Sequence, residues 1–148
     1  MEFRTAGEAE RGSAALEFIL VGLLLLVPLV YLIVALGLIQ GQSLGAEAAA
    51  RHIARAVATA TDADDARARA GAILDAVREE YGLDDVELAL DCSPSGATCP
   101  RAGATLHVRV TTRVALPLVP PVLDLDRISA VPIEASAAHK VSRFWTEQ

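Results

Sequence analysis

The hydrophobic pattern of the chain is dominated by one continuous apolar stretch, which runs from Phe18 to Ile39 without a charged residue. A helix needs about 20 predominantly apolar residues to cross a bilayer, and this stretch is long enough. The alternative is a buried core helix, but core helices of soluble domains keep a polar face and this stretch has none. Membrane helices also tolerate an internal proline such as Pro28. The pattern therefore predicts a transmembrane helix over residues 13–40.

The pattern after this stretch favours a helical extension over residues 41–60. The segment is rich in alanine, and Glu47 precedes Arg51 by four residues, a spacing that stabilises helices. We expect a bend or a weakened turn at the glycine-bearing residues 40–45, where the transmembrane helix leads into this segment. The simplest interpretation of the segment is an ordinary juxtamembrane helix that only spaces a domain from the lipid.

A second helix is predicted between Asp62 and Gly82. Asp62 is a typical N-cap residue, and glycine is the preferred residue just past a helix end. Apolar residues recur between them at spacings of three and four, which predicts an amphipathic helix. These residues are Ala66, Ala70, Ile73, Leu74, Val77 and Tyr81.

Three later segments alternate between apolar and polar positions with a period of two, namely residues 85–91, 104–116 and 128–138. This period predicts an antiparallel sheet with one face on a helix and one in water, and Pro132 favours an edge strand. The run Pro117–Val122 cannot pair regularly. We expect it to pack along its own domain, with an exposed binding loop or a tip dipping into the bilayer as alternatives. The fold class is thus α+β, with a long N-terminal helix, a second helix and a small three-stranded antiparallel sheet.

Two cysteines, Cys92 and Cys99, flank a short loop between the first two predicted strands. They form either a disulfide or half of a metal site. A structural zinc needs about four closely spaced ligands, and the histidines at positions 52, 107 and 139 are scattered, so we expect the disulfide. Disulfides persist in oxidising compartments, which indicates that this region lies outside the cytoplasm.

Composition and motifs argue against several functional classes. The chain has 148 residues and a net charge of −6, and it shows no basic patch with interleaved aromatic residues, so we expect no nucleic-acid binding. We find no nucleophile elbow, phosphate-binding glycine loop or zinc motif. We therefore expect no enzyme, cofactor, metal or small-molecule substrate.

Residues 1–12 form a polar head before the apolar stretch. A secretory signal peptide has an apolar region of about 7–15 residues and a small-residue cleavage site at its end. Here the apolar run is longer and lacks such a site, so we expect a retained anchor. Arg4 and Arg11 favour a cytoplasmic head, although acidic residues in the head and Arg51 and Arg55 beyond the helix weaken the bias. Because the expected disulfide indicates that the C-terminal domain lies outside the cytoplasm, we expect a cytoplasmic N-terminus and an extracytoplasmic C-terminal domain.

One carboxylate, Glu17, stands at the start of the apolar stretch, five residues after Gly12. The simplest interpretation is an interfacial glutamate that the helix dipole favours. The wider context, Arg-Gly-Ser-Ala-Ala-Leu-Glu-Phe running directly into the membrane helix, resembles the processing site of type IV pilin-like proteins. It is most similar to that of TadE-like pilus assembly proteins of the Flp/Tad group, whose motif is Gly, four residues, Glu and an aromatic residue. Phe18 supplies the aromatic residue.

The resemblance implies cleavage between Gly12 and Ser13 by a membrane aspartyl prepilin peptidase. It also implies that Glu17 aligns subunits by pairing with the freed N-terminal amine of a neighbour. The implied pilin-like architecture consists of a cytoplasmic leader (1–12), a transmembrane helix (13–40), a helical extension (41–60), an extracytoplasmic α+β domain (61–138) and a C-terminal tail (139–148). In this architecture the transmembrane helix and its extension form one long helix from Ser13 to Thr59.

The expected function is that of a minor pilin or pseudopilin-like component of a bacterial Tad-type pilus or secretion apparatus. The expected location is the bacterial cytoplasmic membrane, in a single pass, with a place in the filament, at its tip or at its base left open. The implied partners are the membrane, a prepilin peptidase and other pilin-like and Tad assembly subunits. The alternative is a permanently anchored extracytoplasmic binding module whose helix is only a tether. An anchored hydrolase would need catalytic side chains that the sequence does not bring together.

Overall fold

The computed structural model describes residues 7–96, 99–119 and 128–145, with side chains from Ala14 onward. Its elements are α1 (Gly7–Ala58), α2 (Ala63–Tyr81), β1 (Glu87–Ser93), β2 (Thr105–Val114) and β3 (Val131–Lys140). The chain divides into two compact units, Met1–Leu36 and Gly37–Gln148. The predicted α+β class is confirmed, with two helices and a three-stranded antiparallel sheet.

Helix α1 is continuous through Pro28 and through the glycine-bearing residues 40–45, where a bend or a weakened turn was expected. Residues 42–45 are in close contact with α2. A Cβ atom on Gly45 would lie 2.6 Å from Cγ of Tyr81, so glycine here allows the last residue of α2 to approach the α1 backbone. The side-chain amide of Gln42 donates to the carbonyl oxygen of Gly82 at 3.1 Å and joins the two helices at the same level.

Helix α2 begins and ends as the sequence predicts. The Asp62 side chain accepts hydrogen bonds from the amides of Asp64 (2.9 Å) and Asp65 (2.8 Å), which satisfies donors that a helix start leaves unpaired. Gly82 ends the helix in the left-handed conformation, with φ of +61°. Next to the N-cap, the Arg69 guanidinium donates to Asp65 at 2.7 Å and, with the amide of Thr61, lowers the pKa of that carboxyl.

The sheet has the strand order β1-β2-β3, with both pairs antiparallel. β1 runs from Glu87 to Ser93, two residues later at each end than predicted. It does not begin at Asp85, because Asp85 has a φ of +46° that no strand residue adopts. β2 ends at Val114, two residues before its predicted end. β3 begins at Val131 but continues through Lys140, which pairs with Thr105. Pro132 lies in an edge strand, as predicted.

One hydrophobic core joins the C-terminal part of α1, the inner face of α2 and one face of the sheet. α1 contributes mainly small residues, so its backbone lies close to its neighbours, and the sheet contributes larger branched ones. The largest fully buried side chains are Ile53, Val57, Leu106, Val108, Val110, Val114 and Val141. Thr112 is also fully buried, and its hydroxyl donates to the Asp84 carbonyl oxygen at 2.6 Å. Trp145 covers one end of this core.

The proline-rich run after β2 differs from the expectation that it packs along its own domain. Leu118 is 90% exposed and has a φ of +66°, so the expectation is wrong at this residue. Its neighbours Pro117 and Val119 are half-buried, and Pro120–Val122 lie outside the described residues.

Candidate functional site

The N-terminal unit presents an uncovered apolar surface. Every described side chain from Ala14 to Val30 is exposed, including Phe18 at 80%. α1 is long and apolar enough to cross a membrane, and only 6% of its most apolar window is buried. A core helix would be mostly covered by protein, so within the described part of the chain the core-helix alternative is excluded. By length and composition, this helix can serve as a single transmembrane span.

Among the described side chains from Ala14 to Val30, Glu17 carries the one carboxylate, and this side chain is exposed. It forms no hydrogen bond or ion pair with any residue that the structure describes. Its flanking residues, Leu16 and Phe18, are both exposed and apolar. A carboxylate surrounded by hydrocarbon is unfavourable unless it finds a partner or reaches the interface. In a membrane, Glu17 therefore needs either a partner beyond the described residues or a place at the membrane–water interface.

The backbone of the predicted processing site lies within α1, since the helix begins at Gly7. Ser13 and Glu17 are four residues apart, so they lie on the same helical face and about one turn from each other. The side chain of Ser13 is not among those that the structure describes, and Gly12 has none. Cleavage at this position stays a prediction.

The predicted disulfide is confirmed. Cys92 and Cys99 are joined, with their Cα atoms 5.6 Å apart, and they link the end of β1 to the following loop. These are the two cysteines of the chain, so no metal ligand set can draw on them. Within residues 7–96, 99–119 and 128–145, no group of three histidine, cysteine or acidic side chains could hold a metal ion.

Loss of this disulfide should destabilise the C-terminal unit. Closing so short a loop contributes about 2–3 kcal/mol on the chain-entropy estimate. Cys99 is exposed, so Cys99→Ser removes the bond without disturbing the core. We expect the free energy of unfolding of the full chain in detergent to fall by about that amount. Fluorescence of Trp145, the sole tryptophan, reports unfolding during a denaturant titration. A variant with an unchanged midpoint, or a wild type unaffected by reductant, would contradict the prediction.

The solvent face of the sheet carries polar side chains around a depression of about 360 Å³, which Asp91, His107, Arg109 and Ser136 help to line. Arg109 forms an ion pair with Glu134 across the two neighbouring strands. Both side chains are more than half exposed, and such pairs contribute little. The face is a solvated surface, as the alternation of β2 predicts, and His52 and His139 are likewise exposed on α1 and β3.

A groove of about 440 Å³ lies between the N-terminal half of α2 and β1, and sequence reasoning did not anticipate it. Apart from Arg67, the residues of α2 that line the groove are small, namely Ala63, Ala66, Ala70 and Gly71. They leave space above Leu88 and Leu90, which stay half-buried on the edge strand. The signal in the sequence was the run of small residues on the inner face of a helix.

No family model, curated protein or solved structure matches the chain.

Proposed function

We propose that this chain is a TadE-like, pilin-like membrane protein of a bacterial Tad-type pilus or secretion apparatus, and that it acts there as a minor pilin or assembly component. The observation that carries the proposal is the uncovered apolar helix with Glu17 near its start, one residue before Phe18 and five after Gly12. A simple membrane tether does not need a carboxylate at this position, whereas a helix that assembles with others can use one.

The proposed path begins with insertion of α1 and a cytoplasmic head. The Cys92–Cys99 disulfide supports the orientation, because such bonds persist outside the cytoplasm. A prepilin peptidase then hydrolyses the bond between Gly12 and Ser13. Water supplies the atoms, and the products are a Gly12 carboxylate on the leader and a Ser13 amine on the mature chain.

The new amine explains why Glu17 stands where it does. A protonated amine at Ser13 lies at the positive end of the helix dipole, where a positive charge is unfavourable. In a low-dielectric bundle of helices, both this amine and an unpaired Glu17 carboxylate are costly. Pairing the amine of one subunit with the carboxylate of a neighbour removes both costs and fixes how far the two helices are offset along their axes.

A second candidate function is a permanently anchored extracytoplasmic binding module. The groove between α2 and β1 favours this alternative, because open apolar clefts are typical of binding sites. In that case α1 is only a tether, and neither cleavage nor the carboxylate of Glu17 is needed.

Zero-length crosslinking separates the two candidates. A carbodiimide joins a carboxylate to an amine only when they are in contact, so we expect Glu17 in native membranes to be linked to the N-terminal amine of another pilin-like subunit. Peptide mass spectrometry identifies the junction, and Glu17→Gln provides the matched control that cannot react. A link from Glu17 to Ser13 of the same chain, or no link at all, would contradict the proposed pairing.

A further inference from the structure

Two large apolar side chains are exposed at one end of the sheet of the C-terminal unit. Leu118, four residues after β2, is 90% exposed, and Ile128, three residues before β3, is 78% exposed. We refer to these two residues as the apolar tip. Leu118 also has a φ of +66°, a left-handed conformation that is unfavourable for leucine and that tends to persist where it serves a function. Single exposed apolar residues are common on protein surfaces, so exposure alone does not indicate a binding surface. The position of this pair within the unit therefore matters in addition to its exposure.

Hydrogen bonds show at which end of the C-terminal unit the apolar tip lies. Thr112, near the end of β2, donates to Asp84, and the neighbouring Gly82 accepts from Gln42 of α1. At the opposite end of the sheet, the amide of Ser142 donates to the carbonyl oxygen of Ala58, the last residue of α1, at 3.3 Å. The tip therefore lies at the Gln42 end of this unit, and the Cys92–Cys99 loop lies at the Ala58 end.

The Gln42 end is also the end nearest the apolar stretch in the sequence, which stops at Ile39. Once that stretch spans a bilayer, residues 40–42 lie at the membrane surface. We propose that Leu118 and Ile128 insert into the interfacial region of the leaflet from which α1 emerges. The tip is then a second lipid contact, in addition to the helix. This inference rests on the membrane insertion proposed above and not on cleavage after Gly12.

The charge around the tip indicates which lipid it meets. Among the described residues at this end, Asp84 and Asp85 are exposed, and so are two basic residues, Arg113 in the adjoining part of β2 and Arg78, whose guanidinium donates to the carbonyl oxygen of Val86. These opposite charges balance, so the described residues supply no net attraction to anionic headgroups. Burial of leucine and isoleucine at the boundary between headgroups and acyl chains is sufficient, and it does not depend on lipid charge. A neutral phosphatidylcholine bilayer is the appropriate probe.

Depth-dependent quenching tests the proposal in the full chain. Both native cysteines are in the disulfide, so Leu118→Cys, Phe144→Cys and Leu26→Cys each introduce one free thiol for an environment-sensitive fluorophore. Phe144 is the matched control, because it is 92% exposed and close to Ser142, at the other end of the sheet. Leu26 lies within the apolar stretch. Each labelled chain is placed alone in a phosphatidylcholine nanodisc containing lipid with a nitroxide near the headgroup or deep in the acyl chain. Far-ultraviolet circular dichroism confirms that each variant is folded.

We expect the label at position 118 to lose most of its fluorescence to the shallow nitroxide, the label at 144 to keep its fluorescence, and the label at 26 to be quenched by the deep nitroxide. Quenching at 26 without quenching at 118 would overturn the lipid contact while leaving insertion of α1 intact. No quenching at 26 would overturn both. Equal quenching at 118 and 144 would show that the apolar tip has no preference for lipid over the opposite end of the sheet, and would overturn the proposal. If the label at 118 is protected from solvent only when several copies share a nanodisc, the apolar tip contacts a second copy of the chain and not lipid, which would also overturn the proposal.

Discussion

Replacing Glu17 with alanine should leave cleavage after Gly12 intact and reduce the fraction of the chain that is assembled with its partners about a hundredfold or more. The reason is that the substitution leaves the neighbouring subunit's amine unpaired in a low-dielectric helix bundle. Removing one partner of a buried ion pair costs about 3–5 kcal/mol, and each 1.36 kcal/mol corresponds to about a tenfold change in an equilibrium. The measurement compares the amount of the chain that co-purifies with the assembly apparatus with the amount left free in the membrane.

Two variants make this result specific to the charge of Glu17. Glu17→Gln keeps the shape of the side chain and should fail as alanine does, because the amide cannot neutralise an ammonium. Glu47→Ala removes another exposed carboxylate of α1, one that pairs with Arg51 at 3.0 Å, and should assemble normally because such surface pairs contribute only about 0.3–0.5 kcal/mol. Normal assembly of both Glu17 variants would make Glu17 an interfacial residue and favour the anchored binding module.

Replacing Gly45 with alanine should lower the free energy of unfolding of the C-terminal unit by about 3 kcal/mol, the upper part of the range for an overpacked site. The new methyl group would lie 2.6 Å from Cγ and 2.7 Å from Cβ of Tyr81. The Cβ atom of Tyr81 is fixed by the backbone at the end of α2, so a rotation of the ring does not relieve the overlap. The two helices must separate instead, which also strains the hydrogen bond from the Gln42 side chain to the carbonyl oxygen of Gly82.

Gly41→Ala is the matched control for Gly45→Ala. It lies one turn earlier in the same helix, and nothing is within 4 Å of the position that its Cβ would occupy. Alanine is favoured over glycine in a helix by about 1 kcal/mol, so this variant should be as stable as the wild type or more stable. Trp145 fluorescence in denaturant titrations of the full chain in detergent gives the free energy of unfolding of each variant. Equal stability of the two variants would show that the helices tolerate a wider spacing.

Local rules predicted much of the fold because the residues that obey them act within a few positions of each other. Asp62 and Gly82 cap α2 through hydrogen bonds and a backbone conformation that depend on immediate neighbours. The alternation in β2 gave its buried face, which the structure confirms from Leu106 to Val114. The disulfide also followed from short spacing, since few alternatives exist for two cysteines separated by a short loop.

The features that sequence reasoning missed depend on contacts between distant segments. Gly45 was interpreted as a weak point of α1, whereas its role is to admit Tyr81, which comes 36 residues later. Asp85 delays the start of β1 because the chain adopts a left-handed conformation there, which an aspartate in the sequence does not by itself predict. The proposed partner of Glu17, the N-terminal amine of a neighbouring subunit, belongs to another chain, so the fold of one chain does not contain it.

The central claim is that this chain is matured at Gly12 and then assembles through its N-terminal helix. The most direct test is the intact mass of the protein isolated from its native membrane, with and without its prepilin peptidase. We predict a mature chain that begins at Ser13 and that is replaced by the full-length chain when the peptidase is absent. A full-length chain in both preparations would contradict maturation and would leave α1 as a permanent membrane anchor.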